Sequence, residues 1–153
     1  MVTRILREPD HIGELVKLLQ ARKLPMTVHI TAGADRTGQQ SNLSFAWYLD
    51  IARDLGDRTA SEARAHCKLY HGVRILHTEN EQFRDAWNRL IKDRYTIEEK
   101  LELMLPPHDY PVTRLMKAKQ MTAYLDSISR EFSAQGVRLT DPEALKYQSE
   151  FSK

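Results

Sequence analysis

A single cysteine, Cys67, excludes an internal disulfide and fits a reducing compartment. No apolar run reaches the roughly 20 residues needed to span a bilayer, and MVTRILREPD lacks the uncharged core of a signal peptide. A cytoplasmic chain with no membrane partner is the expectation. The phosphate-cradling loop of nucleotide-binding proteins is also missing, because Gly33 and Gly38 are not followed by its Lys-Ser/Thr ending. Neither C-x-x-C nor H-x-x-x-H accompanies His66, Cys67, His71 and His77, so no metal-ligand spacing stands out. Cys67 falls on the apolar side of its segment, where a cysteine is usually an inert small hydrophobe. The acidic residues sit mostly at predicted helix starts, where capping accounts for them. No catalytic set, metal site or cofactor is expected, and the chain reads as a non-enzyme.

What is present is an ordinary globular composition, 41% apolar and 29% charged over 153 residues, enough for one domain with a real core. Net charge is only +2, but the charges are segregated. Residues 15–34, 36–49, 63–78 and 110–125 contain no Asp or Glu. They carry Lys17, Arg22, Lys23, Arg36, Arg64, Lys68, Arg74, Arg114, Lys117 and Lys119. If these windows converge in space, they make a surface that suits a polyanion.

Val2–Arg7 reads as a short strand, and Asp10 as the N-cap of a helix presenting Ile12, Leu15, Val16 and Leu19. Met26–Thr31 alternates strictly and predicts a half-buried strand, so the opening reads β-α-β. Three capping-box patterns come later, Thr59 with Glu62, Thr78 with Glu81 and Thr96 with Glu99, each predicting a helix. The first presents Ala60, Ala63, Cys67 and Tyr70 on one side and ends at Gly72. The second buries Phe83, Trp87, Leu90 and Ile91. The third carries Ile97, Leu101, Met104 and Leu105 and stops at Pro106-Pro107. Val73–His77 reads as a third strand. A long helix to about Gln135 places Ala118, Met121, Leu125, Ile128 and Phe132 in a narrow seam, closed by Gly136. Asp141-Pro142 then opens a last helix. The fold class expected is a mostly helical α+β single domain, 1–153, with a small N-terminal β-α-β sheet element.

The most informative stretch is Asp35–Leu55, a polar loop that becomes a helix with two apolar stripes. Phe45, Tyr48, Leu49, Ala52 and Leu55 form one, and Leu43, Trp47 and Ile51 the other, leaving Asn42, Asp50, Arg53 and Asp54 as a polar edge. Such a helix must be covered from two sides, by its own chain or by a second copy. Arg36, Gln39 and Gln40 bring donor groups to its start, which suits a phosphate or a base edge. Arg64, Lys68 and His71 share one face of the Thr59 helix, opposite the alanine and cysteine side. Arg114, Lys117 and Lys119 precede or open the long helix. Each alone is an ordinary solvated charge. Together with Phe45, a stacking candidate whose spacing reads as core, Arg36, Gln39, Gln40, Arg64, Lys68, Arg114, Lys117 and Lys119 form the candidate DNA-binding set.

The segment RTGQQSNLSFAWYLDIARD resembles the glutamine-containing helix of the Orf/NinB family of phage recombination proteins, which typically begins Arg-Ser-x-x-Gln-Asn. Arg36, Thr37, Gln40 and Asp50 fall on that pattern, and Ser41 stands where the family commonly has Asn. DRTASEARAHCKLYHGV is similar in layout to the family's following helix. MKAKQMTAYLDSISREFSAQGVRLTDPE resembles its closing helix, glycine stop and acidic turn. The resemblance implies an α+β homodimer with a channel between subunits, non-enzymatic and favouring single-stranded DNA. It also implies assistance to a strand-exchange protein and contact with single-strand-binding protein. The expected function is that of a phage-type recombination mediator. The alternatives are a structure-specific nuclease, or another DNA-processing enzyme, and a protein-interaction adaptor whose seam holds a partner helix.

Overall fold

A computed structural model describes residues 4, 6–30 and 38–144. The chain forms two compact units, residues 1–35 and 36–153. In the first, α1 spans Asp10–Gln20, and none of its residues is buried. Pro9, not Asp10, occupies its N-cap, and Asp10 lies in the first turn, favourable to the helix dipole.

No β-strand occurs among the described residues, so the expected β-α-β element is not there. Met26–Ile30 alternates as a strand should, yet Val28 and Ile30 are 50% and 85% exposed. A strand needs a second strand to complete its hydrogen bonds, and alternation alone supplies none. Arg4, Leu6 and Arg7 of the other expected strand are not in one either, while Val2, Thr3, Ile5 and Thr31 lie outside the described residues. Val73–His77, the third, is helical.

The second unit is all helix and loop among the described residues. Its axis is an unbroken rod of α3 (Ala60–Cys67), a π-helical turn (Lys68–Gly72) and α4 (Val73–Glu79). Around it pack α2 (Gly38–Leu55), α5 (Glu81–Leu90), α6 (Ile97–Met104) and α7 (Ala118–Ala134). No described helix is long and apolar enough to cross a membrane. Thr59 caps α3 by accepting from the Glu62 N–H at 3.1 Å, and Thr96 with Glu99 closes a full capping box on α6. Thr78 does not open α5. Its hydroxyl donates to the Arg74 carbonyl, and Asn80 caps instead, accepting from the Phe83 N–H at 3.0 Å.

Gly72 does not stop the helix as expected. The Val73 N–H reaches back to the Lys68 carbonyl, the five-residue step of a π turn, and the rod continues. A methyl group on Gly72 would lie 2.5 Å from Val112 Cγ1 and 3.5 Å from Met116 and Tyr124 carbons, so the glycine serves a close approach. One residue inserted into the ladder shifts every later position. Tyr70 turns outward, 44% exposed, and His71, expected on a solvated face, is 8% exposed. Lys68, at the start of the turn and expected on the same face, is 1% exposed, covered by Asp109 and the end of α6.

The polar edge of α2 is also spoken for. Asp50 Oδ2 accepts from the Thr140 N–H and hydroxyl, both at 2.6 Å, and Asp54 Oδ2 accepts from the Arg138 N–H at 2.8 Å. Trp47 Nε1 donates to the Thr140 carbonyl at 2.8 Å. The chain reaches these partners because Gly136, at φ +85°, ends α7, with the Val137 N–H bonded to the Phe132 carbonyl. The seam of α7 is core: Met121, Leu125, Ile128 and Phe132 are buried. It is covered from within the chain and holds no partner helix. Leu90, expected inside, is 44% exposed, whereas Phe83, Trp87 and Ile91 are buried.

Replacing Gly72 with Ala should lower stability by about 1–3 kcal/mol, the usual cost of overpacking a filled core. Thermal melts of Gly72→Ala, Val112→Ala and the double variant check this. Because the new methyl meets Val112, the double variant should lose less than the sum of the two singles. An additive result means the close approach is not the constraint.

Candidate functional site

Three of the four acid-free windows meet in the second unit, around a pocket of about 180 Å³. Ser41, Ser44, Phe45 and Tyr48 of α2 form one wall, and Arg64 and Lys68 of the rod another. The third is the segment from Asp109 to Arg114, with Met121 of α7 behind it. The proline-punctuated loop places Asp109 at φ +43°, a left-handed conformation that aspartate tolerates better than most residues.

Asp109 is the acid in this pocket, one residue outside the acid-free window. Its Oδ1 accepts from Arg64 Nη1 at 2.6 Å and from Lys68 Nζ at 2.7 Å, and Lys68 also donates to the Met104 carbonyl at 3.3 Å. The Arg64 bond first, then the Lys68 bond, holds the Asp109 carboxyl down at about 2. Burial pushes the Lys68 ammonium down, and Asp109 opposes that shift. Lys68 is thus an internal prop of the pocket wall, not a surface cation.

Arg64 keeps a partly exposed guanidinium, its carbon 6.0 Å from the centre of the Phe45 ring. Phe45, which spacing places in the core, is 56% exposed and stands at the pocket's lip. Beneath it, the Tyr48 and Tyr124 hydroxyls share a 2.6 Å hydrogen bond, and burial raises both, Tyr48 to about 12. Both phenols therefore stay neutral at physiological pH.

The two helix starts named in the sequence do come together. Gln40 Nε2 donates to the Ala118 carbonyl at 3.1 Å and to Thr122 Oγ1 at 3.0 Å, so this amide ties α2 to α7. Its NH₂ is committed to the fold. Gln39 is exposed at the start of α2, Lys119 is exposed in the first turn of α7, and Arg114 is exposed beside the pocket. Lys117 is half-buried, and its N–H donates to Gln120 Oε1 at 2.9 Å. Arg36 lies outside the described residues.

A second cluster joins His66 and His71, which are near neighbours in the sequence, to Glu131, which the sequence does not link to them. His66 Nε2 lies 2.6 Å from Glu131 Oε1, and His71 Nε2 lies 3.3 Å from the same atom. His71 Nδ1 is 2.6 Å from Ser127 Oγ, which also accepts from Arg74 at 3.0 Å. Burial pulls the His71 imidazole down, while Glu131 opposes it. Cys67 is fully buried, and burial pushes its thiol far above the usual range, so it carries no nucleophile. His77 bonds Asn88 instead, at 2.8 Å. Glu131 and Asp109 had no local signal, because each reaches its partners from more than forty residues away.

The Asp109 clamp has a pH signature. Its folded value, about 2, lies below the ordinary 3.8, so the stability it lends is complete above pH 4. That stability is lost as pH falls from 4 towards 2. Asp109→Asn should cost about 1–3 kcal/mol at pH 7 and flatten the decline in stability over that window. Denaturant titrations at several pH values decide it, and an unchanged acid limb removes Asp109 as the linked group.

Comparison of the chain with family models, with curated proteins and with solved structures found no match, so the chemistry of these groups is argued from their geometry and charge.

Proposed function

We propose that the chain binds DNA, single strands in preference, and acts without cutting it as a mediator of phage-type recombination. The supporting observation is the meeting of three acid-free segments at one pocket, with Arg64 and Arg114 beside an exposed aromatic ring. Guanidinium groups neutralise backbone phosphates, and a base freed from its stack lies against the phenyl face. A space of about 180 Å³ is small for a whole ligand but adequate for one phosphate or ring edge of a strand passing over it. Asp109 occupies one Arg64 nitrogen, and the five N–H groups of a guanidinium allow a phosphate beside it. Gln39 and Lys119 extend the track, while Gln40 and Lys68 hold its walls. The partners of this reading are DNA, a second copy of the chain and single-strand-binding protein.

Arg114→Gln should weaken binding for all sequences and flatten the salt dependence by about 0.7 on single strands, one phosphate's worth. Phe45→Ala should cost about 1–3 kcal/mol with the salt slope unchanged, since stacking carries no counterion release. Affinity against salt for single-stranded and duplex DNA measures both. Folded variants that both bind like the wild type would place the surface elsewhere.

A DNA-cleaving enzyme is the second reading, favoured by the His66, His71 and Glu131 cluster. Incubating labelled DNA with magnesium, manganese or zinc separates the two. Cleavage abolished by His71→Ala replaces the mediator with a nuclease.

The dimer is proposed from α2, where Leu49 of the apolar stripe is 63% exposed. Light scattering at micromolar concentration should give a dimer for the wild type and a monomer for Leu49→Lys. A monomeric wild type at every concentration overturns it.

A further inference from the structure

We propose that His66, His71 and Glu131 bind one divalent transition-metal ion of the zinc class. This goes beyond the DNA reading and does not depend on it. The three side chains offer ligand atoms within 4.8 Å of one another. Both imidazoles present Nε2 to the same carboxylate, His66 at 2.6 and 3.1 Å from its two oxygens and His71 at 3.3 and 3.4 Å. Bonds of about 2.0–2.2 Å to a tetrahedral zinc ion would set neighbouring donors about 3.3–3.6 Å apart. The His71 side already has that spacing, and the His66 contact has to open by less than an ångström.

The surroundings are those of a metal ligand set. A neutral imidazole binds metal through one nitrogen when the other is held as a donor. His71 Nδ1 meets Ser127 Oγ at 2.6 Å, and Ser127 is fixed in turn by Arg74 at 3.0 Å. His66 is set between rings, with Tyr70 at 4.6 Å and Phe132 at 5.6 Å between centroids. The His66 and Glu131 side chains are 27% and 24% exposed, which gives an ion a route in from solvent. Two nitrogens and one carboxylate suit zinc and its first-row neighbours, whereas magnesium and calcium prefer oxygen alone. Three protein donors leave a fourth position for water. Bound there, the ion would join the rod to α7.

The π turn is what makes this set possible. Five residues along an α-helix point about 140° apart at 3.6 residues per turn. The wider turn between His66 and His71 closes that angle, so both reach Glu131.

Calorimetric titration of zinc into the chelator-treated full chain should give one ion per chain, and cobalt should give the visible absorption of a low-coordinate site. Glu131→Gln and His71→Ala should weaken zinc binding by far more than tenfold, and Ser127→Ala by about tenfold, the usual effect of losing an outer partner. His77→Ala, outside the cluster, should bind like the wild type. Circular dichroism establishes that each variant is folded. Should Glu131→Gln or His71→Ala not fold, zinc added to the wild type should still shift the ring resonances of His66 and His71 and spare those of His77. No binding at millimolar zinc, equal binding by folded variants, or shifts confined to other histidines overturns the proposal.

Discussion

The second unit depends on the approach of Val112 to Gly72. A side chain at that glycine would collide with the buried Val112, whose side chain packs directly on the backbone of the rod there. The same segment of rod is π-helical, and the inserted residue rotates the later part of the rod. Tyr70 is thereby turned out to solvent and His71 in to Glu131 and Ser127, while Lys68, at the start of the turn, keeps the α3 register and shares with Arg64 the face that meets Asp109. A regular α-helix through these residues would put His66 and His71 on different faces. π turns are costly in hydrogen-bond geometry and are found at functional sites. The Asp109 clamp and the histidine cluster are both anchored on this one.

Charge inside this unit is handled by pairing rather than exclusion. Lys68 is almost wholly buried, and burial pushes its ammonium down, but Asp109 and the Met104 carbonyl accept from it. Asp50 accepts from Thr140 twice and from Arg53. No described buried side-chain nitrogen or oxygen lacks a partner. Removing one member of such a set costs more than its net contribution, because the other is left desolvated. The polar edge of α2, which looks like solvent-facing decoration in sequence, is therefore what fastens the chain after Gly136.

Features written in three or four neighbouring residues are legible in the sequence. The Thr59 and Thr96 caps, the Gly136 stop and the buried Phe83 and Trp87 are of this kind. Thr78 misleads because Thr78 and Asn80 are both competent caps two residues apart, and only the packing of α4 on α5 chooses between them. The strands mislead because alternation describes one segment and a sheet needs two. Spacing assigns Phe45 to the core, but spacing says which residues share a face and not what covers it. The π turn has no local signal, and the side chains that pack against its Gly72, Val112, Met116 and Tyr124, come from far along the chain.

The distribution of charge carries more than its net value of +2 suggests. Three stretches without acids, separate in sequence, supply almost the whole pocket lining, and the acid that joins them is Asp109. That carboxylate does not merely cancel a positive charge. It is held ionised by Arg64 and Lys68 together, so it fixes one guanidinium nitrogen and aims the remainder towards Phe45. Unfixed arginines lose rotamer entropy whenever they meet a phosphate, and a pre-set one loses less. Arg114, exposed on its short turn beside the pocket, has no such preparation, and its contribution falls with salt like that of any surface charge. The pocket thus combines one prepared cation, one adaptable cation and one flat apolar ring, and the proposed binding of a single strand rests on that combination.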